Sequence, residues 1–380
     1  MPGRIVLFGA TGYTGRLVAE AMVERGLRPV LAARDGDRLH DLAAALGADL
    51  ETLTADVSEP ASVTALVEKG DVLVSTVGPF VRWGAPAAAA ASTVGAHYID
   101  STGEPPFIRE VFERYGAAAE RSEAAMLTAF GYDWVPGNLA GALALSRAGE
   151  AATRVDTGYF VGGSGGFSGG TMASMAGVMN APSFAFRDGR VQTERGAKRA
   201  RSFSFGPKTR SGISVGSSEH FALPRLAPGL REVNVYLGWF GPASRGMQAL
   251  SAGMSLGMKL PGASRLWDTA TQRFVKGSSG GPDAAARARQ TSHIVAIAYD
   301  SADRELAEVH LTGGDPYGFT GKIIAWGAEQ AAAGALKGTG ALGPADGFGL
   351  EALVDGCRQA GMGEELPSKP AHEHKTATVA

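Results

Sequence analysis

Up to Phe130, short apolar runs alternate with amphipathic stretches. Ile5–Phe8, Pro29–Ala33, Leu50–Leu53, Val72–Thr76, His97–Ile99 and Ala125–Ala129 read as strands bounded by turn residues. Between them, Leu17–Glu24, Arg38–Leu46, Pro60–Lys69, Ala85–Val94 and Phe107–Arg121 carry helical spacing, and Gly26 stops the first helix. Strands so uniformly apolar need cover on both faces, which predicts an α/β fold on a doubly wound parallel sheet. After Gly131 the pattern changes. Gly137–Leu145 reads as a helix of small residues. Val155–Val161, Arg201–Phe205, Ser218–Leu223, Glu232–Trp239, Ser292–Tyr299 and Glu305–Leu311 show partial alternation and read as strands, with helices at Thr171–Asn180 and Gly246–Met258. This predicts a second α/β domain on a mixed, largely antiparallel sheet. Thr320–Gly334 and Leu350–Ala360 read as helices that return to the first domain. The expected division is a dinucleotide-binding domain over 1–137, a substrate and possible dimerisation domain over 138–314, returning helices within 315–362, and a loose polar tail over 363–380.

Gly9, Gly12 and Gly15 follow the first strand at once and lead into the first helix. Glycine lets a backbone turn tightly and approach a pyrophosphate, and the next helix aims its amides and dipole at that anion. The first domain therefore reads as a Rossmann-type dinucleotide binder. An NAD-selective fold places an acid at the end of the second strand, to hold the ribose hydroxyls. Here Ala33 and Arg34 stand at that place, Arg38 lies one turn on, and Asp35 is the nearby acid. A guanidinium fork suits a 2′-phosphate, so the expected cofactor is NADP(H). Asp56, past the third strand, reads equally as an adenine contact or a cap for the helix opening at Pro60. Gly78 and Pro79, after the fourth strand, are expected to line the nicotinamide ribose, because ligands collect at the carboxyl ends of the strands.

The catalytic groups are less obvious. None of the eight tyrosines has a lysine four residues on, Tyr317 and Lys322 being one residue too far apart, which argues against a short-chain dehydrogenase. Neither a G-x-S-x-G elbow nor H-E-x-x-H is present. The runs His97–Glu104 and Gly131–Gly137 do leave strands five and six toward the expected cofactor crevice. Glu104, Tyr132 and Asp133 are thus candidates for substrate positioning or proton donation. Asp100 and Asp133 read as readily as helix caps, and Tyr132 as packing. With the single Cys357 and scattered histidines, no metal site is expected; His372-Glu373-His374 lies in the polar tail. A net charge of −2 recommends neither nucleic acid nor an anionic membrane as partner. No apolar stretch is long enough to span a bilayer and no signal pattern opens the chain, so a cytoplasmic location is the expectation. The eight basic residues in Arg187–Arg210 read either as a solvated loop or as a docking patch for an acidic carrier protein.

Four segments together resemble the saccharopine dehydrogenase-like oxidoreductases: GATGYTGR (9–16), HYIDSTGE (97–104), GYDWVPGNLAGALAL (131–145) and GPDAAARAR (281–289). The most similar branch includes trans-acting enoyl reductases of actinobacteria. The resemblance implies a Rossmann domain, a mixed second domain and hydride transfer from a pyridine nucleotide to a conjugated C=C or a C=N bond. It also implies that Gly9, Thr11, Gly12, Tyr13, Thr14 and Gly15 hold the pyrophosphate. The arginine set that would hold two amino-acid-derived carboxylates has no match here. The small-residue run Gly158–Asn180 reads either as accommodation for a bulky apolar, polyketide-like substrate or as a loop and a packed helix. The resulting expectation is an NADP(H)-dependent reductase of a polarised double bond in specialised or lipid metabolism, acting on a small molecule either free or carrier-bound. The alternative is an NADP(H)-binding sensor or assembly protein without turnover.

Overall fold

The computed structural model describes residues 3–163, 182–205, 208–238 and 280–365. Six strands of the first sheet alternate with helices: β1 (Ile5–Phe8), β2 (Val30–Ala33), β3 (Thr52–Thr54), β4 (Val72–Ser75), β5 (His97–Asp100) and β6 (Ala125–Leu127). All are parallel, in the order β6-β5-β4-β1-β2-β3. Every residue of β1, β2 and β4 is buried, as helices on both faces require. The order reverses between β1 and β4, so a crevice opens at their carboxyl ends.

The second sheet holds β7 (Arg154–Gly162), β8 (Pro182–Arg187), β9 (Arg190–Arg195), β10 (Ala200–Phe205), β11 (Lys208–Ser214), β12 (Glu232–Leu237), β13 (Thr291–Tyr299) and β14 (Glu305–Gly313). It is mixed: β12 and β7 run parallel, and the other pairs are antiparallel. The helix Val135–Ala148 covers β7, β13 and β14, and connects the sheets. The chain then returns to the first sheet. The helix Pro316–Ala332 lies along Tyr13–Glu24 so closely that a Cβ at Gly321 would stand 2.8 Å from the Leu17 carbonyl oxygen. β15 (Gly340–Ala341) then extends the first sheet beside β6, making seven strands.

Several expected boundaries move. Ser218–Leu223 is not a strand: Glu219–Leu226 is a helix, with Glu219, His220, Ala222 and Leu223 buried at helical spacing. Six residues of partial alternation fit either period, and the packing against Val135–Ala148 decides. The hairpin β8–β9 and strand β11 were not anticipated, although Asp188-Gly189 at the hairpin tip, both with positive φ, is a recognised turn signal. Phe107–Arg121 is broken by a π-helical turn at Val111–Tyr115, and the helix at Pro60 ends at Thr64. Residues 363 and 364, expected in the loose tail, belong to the second sheet: β16 (Met362–Glu364) pairs with β14, and Glu364 forms an ion pair with Arg147 at 2.6 Å. The expected helices Thr171–Asn180 and Gly246–Met258, most of the run Gly158–Asn180, and His372–His374 lie outside the described residues.

Candidate active site

The glycine loop is built on close contacts. Gly9 has φ +89°, and a Cβ there would stand 2.7 Å from Thr76 Oγ1 at the end of β4. Thr76 Oγ1 donates toward the Phe8 and Gly9 carbonyls, clamping the loop to β4. A Cβ at Gly15 would stand 2.2 Å from the Gly9 carbonyl oxygen, so glycine is what seats the helix on the loop. At Gly12 the space is open apart from that same oxygen at 3.3 Å. Gly12 is the helix N-cap, no side chain caps it, and the first turn holds no acid. The free amides therefore suit an anion, and the residues fit a dinucleotide pyrophosphate. Thr14 reaches the neighbouring cavity, whereas Tyr13 turns to the second half of the chain. Its hydroxyl donates to the Pro282 carbonyl at 2.6 Å, and its ring stands edge-on to Tyr317 at 5.3 Å.

At the end of β2, Asp35 caps the helix Gly36–Ala45 by accepting from Arg38 N. That carboxylate is occupied, while the Arg34 side chain is exposed and Arg38 reaches the Thr11 carbonyl at 3.2 Å. The rim is thus cationic where a 2′-phosphate would lie. Asp56 accepts from the amide and hydroxyl of Ser58, which with Arg34 nearby lower its pKa. It holds a turn on the same rim and does not cap the Pro60 helix, whose N-cap is Glu59. Gly78 and Pro79 precede the short helix Phe80–Trp83, and the Gly78–Pro79 peptide is cis.

Glu104 and the two aspartates play different parts. Glu104 is buried, and its carboxylate accepts from the Phe80 and Val81 amides, each at 2.9 Å. It pins the loop after β4 and stands as a positioning group. Asp100 accepts from Thr102 N, Ala129 N and Thr128 Oγ1, tying the loop after β5 to the end of β6. Burial raises its pKa to about 6 even with those three donors. Neither Asp100 nor Asp133 caps a helix.

Tyr132 and Asp133 come together at a cavity of about 100 Å³ between the glycine loop and the second sheet. Ser101 and Thr14 line its nucleotide side; Val161, Gln290, Pro316, Tyr317 and Thr320 line the other. The Tyr132 amide donates to Thr320 Oγ1 at 3.0 Å, which anchors the turn to the returning helix. Asp133 Oδ1, Tyr132 Oη and Gln290 Oε1 are buried without hydrogen-bond partners, although Ser292 lies beside the phenol. Burial raises the Asp133 pKa to about 7 and pushes the Tyr132 phenol well above its ordinary value. Among the described residues lining this cavity there is no cation. A Cβ at Gly103 would stand 3.0 Å from Asp133 Oδ2, so glycine there leaves room for the carboxyl.

Behind the turn lie Tyr159 and Glu219, which the sequence reading did not single out. The Tyr159 hydroxyl is 2.6 Å from Glu219 Oε1, and both side chains are fully buried. A carboxylate inside an apolar helical face was the one available signal, and the strand assignment of Ser218–Leu223 hid it. Four of the eight basic residues in 187–210 form ion pairs: Arg187 with Glu232, Lys198 and Arg199 with Glu194, and Arg201 with Asp156. No helix among the described residues is long and apolar enough to cross a membrane, and no group of three or more potential metal-ligating side chains gathers there.

Residues 5–128 match the family model of the saccharopine dehydrogenase NADP-binding domain. A Mycobacterium tuberculosis protein assigned by name to the trans-acting enoyl reductases is 40% identical over 187 residues, which is 47% of this chain and 45% of that protein. The trans-acting enoyl reductase of Mycobacterium leprae is 39% identical over 140 residues, 36% of this chain and 34% of its own. The matches therefore span less than half the length of these relatives. Apo saccharopine dehydrogenase (L-Glu forming) from Saccharomyces cerevisiae shares the fold, with a TM-score of 0.57 over 93% of this chain and 96% of that one at 11% identity.

Proposed function

We propose that this chain, whose residues 5–128 are an NADP-binding domain of the saccharopine dehydrogenase type, is a reductase of the conjugated C=C bond of a neutral acyl substrate. The observation that carries the reading is the cavity beside the glycine loop. Tyr132, Asp133 and Gln290 line it, each carrying a buried oxygen without a hydrogen-bond partner, and no described lining residue is a cation. Such a lining suits a neutral carbonyl head group, and its described residues offer no cation to the carboxylates of an amino-acid-derived imine. The names of the mycobacterial relatives agree with enoyl reduction by an enzyme acting in trans, and so with an acyl group delivered by a separate carrier.

When bound, the nicotinamide supplies the hydride. Gly9, Thr11, Gly12, Thr14 and Gly15 would hold the pyrophosphate at the helix N-terminus, with Tyr13 bracing the loop from the Pro282 side. Arg34 and Arg38 would face the 2′-phosphate, Asp56 the adenine rim, and Gly78 and Pro79 the ribose. Burial raises the proton affinity of Asp133 so that a large share of its carboxyl is protonated near neutral pH, and that form delivers its proton to the carbon next to the carbonyl. Tyr132 keeps its phenol proton and orients the carbonyl oxygen by donation. Glu104 and Asp100 position the loops. Alignment supplies most of the acceleration in such a site.

The test is NADPH oxidation with a short enoyl thioester, crotonyl-N-acetylcysteamine, beside an α-keto acid plus amine. Consumption with the thioester alone is expected. Consumption with the keto acid and amine alone overturns the reading, and binding without consumption of either favours a sensor.

A further inference from the structure

Glu219 is fully buried, and among the described residues no cation pairs with its carboxylate. Oε1 lies 2.6 Å from the Tyr159 hydroxyl, and Oε2 makes no hydrogen bond of ordinary geometry, although Ser217 and the Glu219 amide lie beside the carboxylate. An isolated carboxylate in such a place is costly, so its charge state is closely balanced. The approach is built in. A Cβ at Gly137 would stand 2.1 Å from Tyr159 Oη and 2.4 Å from Glu219 Oε1, so only glycine admits the pair. Gly137 lies in the first turn of the helix Val135–Ala148, which follows Asp133 directly after Trp134.

The Tyr159 hydroxyl has three polar neighbours and one proton. It accepts from Gly137 N at 2.8 Å, and both Glu219 Oε1 and the Trp134 carbonyl oxygen, 3.0 Å away, are acceptors in reach. When Glu219 is ionised the phenol donates to it, by the stronger charge-assisted bond. When Glu219 is protonated, its own O–H donates to Tyr159 Oη, and the phenol proton turns to the Trp134 carbonyl. One proton is taken up and no covalent bond other than O–H changes. The Trp134 carbonyl already accepts from the amide and side chain of Asn138, and belongs to the residue next to Asp133.

We propose that Glu219, through Tyr159, is a positioning residue for the proton-donating turn: its charge state selects whether Tyr159 also holds the Trp134 carbonyl. The inference rests on the reading of Asp133 as proton source. Burial raises the Glu219 pKa to about 7, and Asp133 is among the charges that raise it further, so the two acids are electrostatically coupled. The groups facing Glu219 are Tyr159 from β7, Asp133 from the turn, and Ser217. On the other side of the helix, His220 is held neutral by burial, with Glu194, Arg187 and Arg199 around it.

The experiment is a carboxyl infrared titration of the full chain without cofactor or substrate, with Asp133 assigned by Asp133→Asn. In Glu219→Gln, removal of a neighbouring negative charge is expected to lower the Asp133 midpoint by roughly half a unit to one unit. An unmoved midpoint in the folded variant overturns the proposal. If Glu219→Gln does not fold, the reciprocal measurement decides, because coupling is symmetric: Asp133→Asn must lower the Glu219 midpoint, and no movement is again fatal. The switch is read separately from the carbonyl ¹³C shift of Trp134. A pH-dependent shift in the wild type that vanishes in Tyr159→Phe supports it; a flat wild-type profile ends it. These titrations need no turnover, so they fail independently of whether Asp133 protonates a substrate.

Discussion

Asp100 and Asp133 make an informative pair. Asp100 is fully buried and Asp133 half-buried; Asp100 ends β5, and Asp133 lies in the turn that follows the neighbouring parallel strand β6, at the carboxyl edge of the first sheet. Asp100 satisfies three donors and joins two loops, whereas Asp133 Oδ1 has none and its residue lines a cavity. Burial raises both, to about 6 and about 7, so the shift does not distinguish them. Hydrogen bonding does. A fully bonded carboxylate is fixed in place, while an unbonded one beside a cavity is free to exchange a proton with a ligand.

The contrast breaks most sharply under substitution. Asp133→Asn is expected to lower kcat for an enoyl thioester by about a hundredfold or more with an unchanged or higher melting temperature. Full activity in that variant removes Asp133 from the chemistry. Asp100→Ala is expected to do the reverse to the scaffold, costing on the order of 2–4 kcal/mol in urea unfolding, because Thr102 N, Ala129 N and Thr128 Oγ1 lose their acceptor. A smaller effect probes the other end of the crevice. Arg34→Ala is expected to weaken NADPH binding about tenfold relative to NADH by calorimetry, the worth of one charge-assisted contact; an unchanged ratio places the 2′-phosphate elsewhere.

The smallest expected effect is a slope. Between the ordinary carboxylate range and about 7, the folded chain binds more protons at Asp133 and Glu219 than the unfolded chain does. Stability should therefore fall as pH rises through that window, the opposite of a salt-bridged acid. Melting temperatures measured from pH 5 to 8 should decline less steeply in Asp133→Asn than in the wild type. An equal slope in both would show that Asp133 titrates normally.

Much of the nucleotide side was legible because local rules govern it. Gly9, Gly12 and Gly15 announce a tight turn, in which a side chain at 9 or 15 would clash, and the alternation of apolar runs with helices announces the sheet that carries it. Arg34 in place of an acid needs no knowledge of distant residues. The substrate side was less open. Glu104 looked like a free acid until the loop after β4 placed two amides on it. Glu219 was hidden inside a segment whose period was misread.

The chain's order of residues by itself announced a parallel sheet of alternating strands and helices and a glycine turn suited to a phosphate, since each is written in short windows of sequence. Which buried acids are bonded and which are left open was decided only by the tertiary structure. Tyr159 meets Gly137 from 22 positions away and Glu219 from 60. Proton affinity in a protein interior depends on how water is excluded and which donors arrive, and those are set by packing between segments rather than by spacing along one.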